Sequence, residues 1–172
     1  MSSELSSWRP WMPLRLTQMG LVAAVALFAT LVAFGNITDY GTNFAFVQHV
    51  LRMDTIFADA TIRYRAITAP WLHHAFYLAI IATETVVAVL CWWGAWRLWR
   101  QRHAAPLAFR QAKGVAVVGL ALGILLWLTG FLTVGAEWFG MWMSSTWNGV
   151  ASAGRFFGVF VAVLLVLVVR DD

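Results

Sequence analysis

The chain has 172 residues, of which 61% are hydrophobic and 12% charged, with a mean hydropathy of +0.73. A soluble domain carries about 25% charged residues, so a soluble globular fold is excluded and a polytopic membrane protein is expected. The net charge of +4 does not point to nucleic acid, because the basic residues lie between apolar runs rather than in one patch. The single cysteine, Cys91, rules out an intrachain disulfide and CxxC chemistry.

A membrane-crossing helix needs about 20 apolar residues. The first run that qualifies spans residues 14–34. Its end, Ala33-Phe34-Gly35, weakly resembles a signal-peptide cleavage site, but a retained first span is the better reading. Residues 35–70 are then a long extracytoplasmic loop with some local order. Phe46, Val47, Val50 and Leu51 recur at helical spacing against Gln48, His49 and Arg52, with Asn43 as the expected cap. Asp59 is the expected cap of a second short helix. Such segments lie flat on a bilayer or cover the mouth of a bundle.

The second span, 71–96, carries Glu84 at its middle, on one face with His73, Tyr77, Ala88, Cys91 and Ala95. A short basic connection follows, and then a third span, 114–134, with a stripe of Ala112, Ala116, Gly119, Gly123 and Gly130. The fourth span, 149–169, has a small face of Ala151, Gly158 and Ala162 that also bears Arg155. Small residues at this spacing let helices approach closely. The expected fold is therefore all-α: a four-transmembrane-helix bundle in a single membrane domain over residues 1–172.

Basic residues orient such a bundle. Arg9, Arg15, Arg97, Arg100, Arg102, Arg110, Lys113 and Arg170 fall on one side, against Arg52, Arg63 and Arg65 on the other. Both termini are expected in the cytoplasm of a bacterial inner membrane. Of the eleven tryptophans, Trp8, Trp11, Trp71, Trp96, Trp99, Trp138, Trp142 and Trp147 stand near the ends of apolar runs, where indoles anchor.

An isolated charge inside a bilayer costs about 3 kcal/mol on insertion scales. Glu84 lies about 18 Å along its helix from Trp96, and Arg155 about 21 Å from Val169. Equal depth and small-residue faces predict an intramembrane polar pair of Glu84 and Arg155. Tyr77 and His73 extend the same face outward as a polar path. A second candidate site, for a ligand or for Zn²⁺ or Cu²⁺, would gather His49, His74, Asp54 and Glu137 on the outer face. His73 and His74 are adjacent and point about 100° apart, which disfavours both reaching one ion. No P-loop, GxGxxG, GxSxG or HExxH is present, so no catalytic residues and no enzyme activity are assigned. No dedicated cofactor is expected. Histidines inside two different spans, as haem ligation requires, are missing. Lipid contact is expected, and a quinone between helices or a metal ion are the ligands that the polar residues suit.

The elements "HVLRMDTIF" (His49 to Phe57), "RYRAI" (Arg63 to Ile67) and "LHHAFYLAIIATET" (Leu72 to Thr85), with "GAW" beyond, resemble a bacterial family of predicted small integral membrane proteins of unknown function. The resemblance covers most of the chain. It implies an inner-membrane four-helix protein and supplies no activity. Three functions are expected. The leading one is a non-catalytic accessory subunit or assembly factor of a larger inner-membrane complex, such as a respiratory or other redox enzyme, with other integral membrane subunits as partners. The second is a small transporter or ligand-binding membrane protein using Glu84 and Arg155, and the third an outer-face metal-binding protein.

Overall fold

The computed structural model describes residues 11–170, so Trp8 and Arg9 lie outside the described residues. All regular structure in it is helical: α1 (Met12–Thr38), α2 (Tyr40–Arg52), α3 (Pro70–Gln101), α4 (Pro106–Ala112), α5 (Gly114–Leu125) and α6 (Val150–Val168). Four stretches are long and apolar enough to cross a membrane, namely α1, α3, the run Pro106–Trp138, and α6. Proline opens α1, α3 and α4, where its missing N–H removes no helical bond. Beyond Leu125, α5 continues into a π-helical stretch, Leu126–Trp138, in which Thr133 Oγ1 donates to Leu128 O five residues back at 2.9 Å.

The spanning helices form a ring in which α1 packs on α3, α3 on α5, α5 on α6 and α6 back on α1. The stripe expected on the third span is an interhelical face for most of its length. Ala112 and Ala116 are buried, and a Cβ added at Gly94 of α3 would come within 2.6 Å of Ala116 Cβ. Gly119 meets Cys91, and a Cβ at Gly123 would lie 2.1 Å from the Phe160 ring of α6. Gly130 departs from the stripe and is exposed. It lies within the π-helical stretch, whose wider turn rotates residues off the face that 100° per residue predicts.

α6 uses the opposite face from the one expected. Ala153, Phe160, Val163 and Leu167 are buried, whereas Ala151, Arg155, Gly158 and Ala162 are exposed. The notch at Gly123 accepts a ring, so a large residue meets a small one and the small face of α6 is left outside.

At the basic end, polar side chains lock the ring. Gln18 of α1 donates Nε2 to Val166 O, Leu167 O and Val169 O at 2.9, 3.2 and 3.1 Å, and Lys113 Nζ donates to Val169 O at 2.8 Å. The last carbonyls of a helix have no partner within it, and these donors supply one, with Lys113 also adding positive charge near the C-terminal dipole. Arg15 is fully buried, its guanidinium between the Trp11 and Phe109 rings at 3.9 and 4.3 Å, with Nη1 donating to Arg102 O and Ala104 O.

At the far end, residues 35–70 are not the long loop expected. α1 runs on to Thr38, α2 follows after a bend at Asp39, and a 3₁₀ turn occupies Thr61–Arg65. Neither expected cap forms. Asn43 lies within α2 and donates to Asp39 O, and the N-cap of the 3₁₀ turn is Ala60, with no side-chain cap bond. Arg63 donates to Ile56 O and Phe57 O at 3.0 Å, and Arg65 Nη1 to Trp138 O at 3.2 Å, tying the segment to itself and to the third span. Met53 ends α2 in the left-handed region at φ 52°. That conformation costs roughly 1–2 kcal/mol for an L-residue. Burial of its side chain, 1% exposed beside Val47, Leu51 and Ile56, offsets about 1.5–3 kcal/mol.

Candidate functional site

Glu84 lies on α3 about 21 Å along the helix from Pro70, and is 3% exposed. Its Oε2 accepts a 2.7 Å hydrogen bond from Asn36 Nδ2 of α1. Oε1 has no hydrogen-bond partner among the described residues. Tyr77, two turns along α3, donates its hydroxyl to Asn36 O at 2.9 Å. Asn36 therefore stands between Tyr77 and Glu84, joining them in one polar cluster. The cluster lies against a cavity of about 610 Å³ bounded by α1, α2, α3, the π-helical stretch, residues 146–149 and the start of α6. Exposed Thr146 and Asn148 stand at its rim and Glu84 at its floor.

Glu84 and Arg155, expected as an intramembrane pair within direct or water-bridged reach, make no direct contact with each other; each has another partner. Arg155 is exposed, and its Nη2 donates to Ser152 Oγ at 3.0 Å, one turn back on α6. The physical reason lies in the ring. α3 and α6 stand diagonally, with the cavity between Glu84 and Ser152, so equal depth does not bring their side chains together. Ser152 lines that cavity, which places the Arg155 guanidinium beside it rather than on the carboxyl.

The proposed polar path is reached only in part. Tyr77 connects to Glu84 through Asn36, whereas His73, 1% exposed, donates Nε2 to Ile67 O at 2.8 Å and fixes the start of α3 to the preceding segment. The outer-face metal set is divided. His49 donates Nδ1 to Asp54 Oδ1 at 2.9 Å and stacks on Trp147, with centroids 4.7 Å apart. His74 is instead sandwiched with Phe44 at 4.1 Å, its Nδ1 2.8 Å from the Tyr40 hydroxyl, and Glu137 is exposed. Among the described residues no group of three or more His, Cys, Asp or Glu is placed to hold a metal ion.

Sequence reasoning missed Asn36, Ser152 and Trp127 as parts of the site. A signal for Asn36 was present. Elements consecutive in the chain are usually neighbours in space, so a polar residue near the end of the first span was a better partner for Glu84 than one on the fourth. Trp127 had one as well, since it stands four residues after Gly123 and so on the same helix face.

Four apolar spanning stretches around a partly polar interior define an integral membrane protein of the small helical-bundle class. A family model described as "predicted small integral membrane protein (DUF2165)" matches residues 14–170. The chain belongs to that family, as the elements around His49 and Glu84 indicated. No curated protein and no solved structure matches it.

Proposed function

We propose that the protein is a ligand-binding membrane protein of the bacterial inner membrane, with both termini cytoplasmic and the cavity above Glu84 open to the outer side. The observation that carries this reading is the buried Glu84 carboxyl, with one oxygen held by Asn36 and the other without a protein partner, at the floor of a cavity of about 610 Å³. Glu84 lines the cavity with an oxygen left open to it, and intramembrane ionisable residues mark substrate and ion pathways. The rim at Thr146 and Asn148 offers entry from the outer aqueous side, and exposed Leu31, also in the lining, offers it from the bilayer.

The test is native mass spectrometry of the protein released from its own membrane in a mild detergent. A retained small molecule, lost in Ser152→Trp, supports the reading. An identical spectrum for the wild type and the filled-cavity variant overturns it.

A second reading, a non-catalytic accessory subunit of a larger membrane complex, is favoured by one observation on α6. Arg155 is exposed on a spanning helix between Gly154 and Gly158, where an added Cβ would meet nothing within 4 Å. An exposed charge on a small-residue face suits docking to another span. Stoichiometric partner subunits in the same preparation, lost in Gly158→Leu, support it; a protein free of partners argues against it.

A further inference from the structure

We infer that the cavity above Glu84 takes an organic cation with an apolar substituent. The inference rests on the ligand-binding reading and narrows it to a chemical class. Six aromatic side chains line the cavity: Phe46, Tyr77, Trp127, Phe131, Trp147 and Phe156. They are organised as walls. Trp127 packs against Phe131 at 4.6 Å and Phe156 at 4.7 Å, and Phe46 meets Trp147 at 6.3 Å. Aromatic faces carry negative potential, and cages of them bind ammonium groups. The one carboxyl in the lining is that of Glu84, and no lysine or arginine is among the lining residues. Asn36, Asn43, Thr146, Asn148 and Ser152 add neutral polar atoms that tolerate water or a polar head.

An anion would meet an acidic floor with no lysine or arginine in the lining, while the Arg155 guanidinium stands beside the cavity, bonded to Ser152 at its α6 wall. A bare metal ion would find a single carboxyl and no group of ligands among the described residues. A delocalised or alkylated cation fits both the charge and the aromatic walls. Beside this cavity lies an apolar cleft of about 210 Å³ between α2, α3 and the π-helical stretch, sharing Phe46, Val47, Ile80 and Phe131 as a common wall. Exposed Gly130 and half-buried Phe131 border it, so an apolar substituent reaches it without crossing the packed core.

Three probes of related shape and different charge test the inference: tetraphenylphosphonium, tetraphenylborate and triphenylphosphine oxide. Their saturable binding is measured on the full chain in lipid nanodiscs. Phosphonium is expected to bind in preference to the other two, about tenfold or more weaker in Glu84→Gln and roughly threefold weaker in Phe131→Leu. Gln retains the acceptor for Asn36, so the charge alone is removed. Should Glu84→Gln fail to fold, the phosphonium-over-oxide ratio in Phe131→Leu decides, and an unchanged ratio overturns the inference. Binding of the neutral or anionic probe as tight as the cation, blocked by Ser152→Trp, overturns the cation class and leaves the ligand site standing. No saturable binding of any probe, or binding indifferent to Ser152→Trp, overturns both.

Discussion

The Asn36 amide and the Glu84 carboxyl meet at 2.7 Å between the first two spans, and this contact holds the only acidic side chain buried among the described residues. It has a measurable signature. Removing Asn36 strands a buried acceptor, which costs about 1–3 kcal/mol. Asn36→Ala is therefore expected to lower stability in detergent by that amount. A cycle with Glu84→Ala should give a coupling of roughly 0.5–3 kcal/mol, as residues in contact do. The corresponding cycle of Glu84→Ala with Arg155→Ala should be additive within about 0.5 kcal/mol. Thermal or denaturant unfolding of the single and double variants checks both, and strong coupling only in the Arg155 cycle would reverse the assignment.

The glycines of the third span separate into two kinds. Gly123→Leu must displace the Phe160 ring, 2.1 Å from where its Cβ would stand, and is expected to prevent assembly of the bundle or destabilise it by about 1–3 kcal/mol. Gly130→Leu would meet only Leu126 Cδ1, at 3.7 Å, and is expected to be tolerated. Size-exclusion profiles and unfolding midpoints of the two variants distinguish them.

Gln18 acts as a donor, so shape alone should not replace it. Gln18→Glu keeps the outline of the side chain but, when ionised, offers oxygens to the carbonyls of Val166, Leu167 and Val169. It is expected to destabilise more than Gln18→Leu, which itself should cost about 1–3 kcal/mol. Equal stability of both variants and the wild type in a denaturant titration would show that the amide is dispensable.

Orientation is open to a direct check. An epitope inserted at the exposed turn beside Asp59 is expected to be reached by antibody or protease from the outer side of intact cells, and one near Ala105 only after permeabilisation. Access to both without permeabilisation would remove the basis for placing the cavity mouth outside.

The four spans were legible because long apolar runs have few alternatives to a membrane helix. The Ala112-to-Gly123 face was legible because its period is that of an α-helix. Gly130 was not, since its direction depends on a winding that no residue pattern announces. The face chosen by α6 was hidden for a related reason. Small residues permit close approach but do not require it, and Phe160 in the Gly123 notch uses the same principle from the other side. Around Glu84, depth along a helix could be counted from the sequence, but the order of helices around the ring could not. That order decides whether two charges at one depth are neighbours or face each other across a cavity.

The bonds from Gln18 and Lys113 to the end of α6 bear on how the protein is made. A ribosome delivers α1 to the membrane long before α6, so the Gln18 amide waits through the synthesis of three more spans for its acceptors. Until Val166 to Val169 emerge, the ring is an open arc, with donors of α1 and Lys113 facing solvent or headgroups. Insertion of the fourth span is thus the closing step rather than an addition to a finished bundle. A nascent chain stalled before that point would expose the Gly123 notch and the Gln18 amide together, a surface suited to capture by membrane quality control.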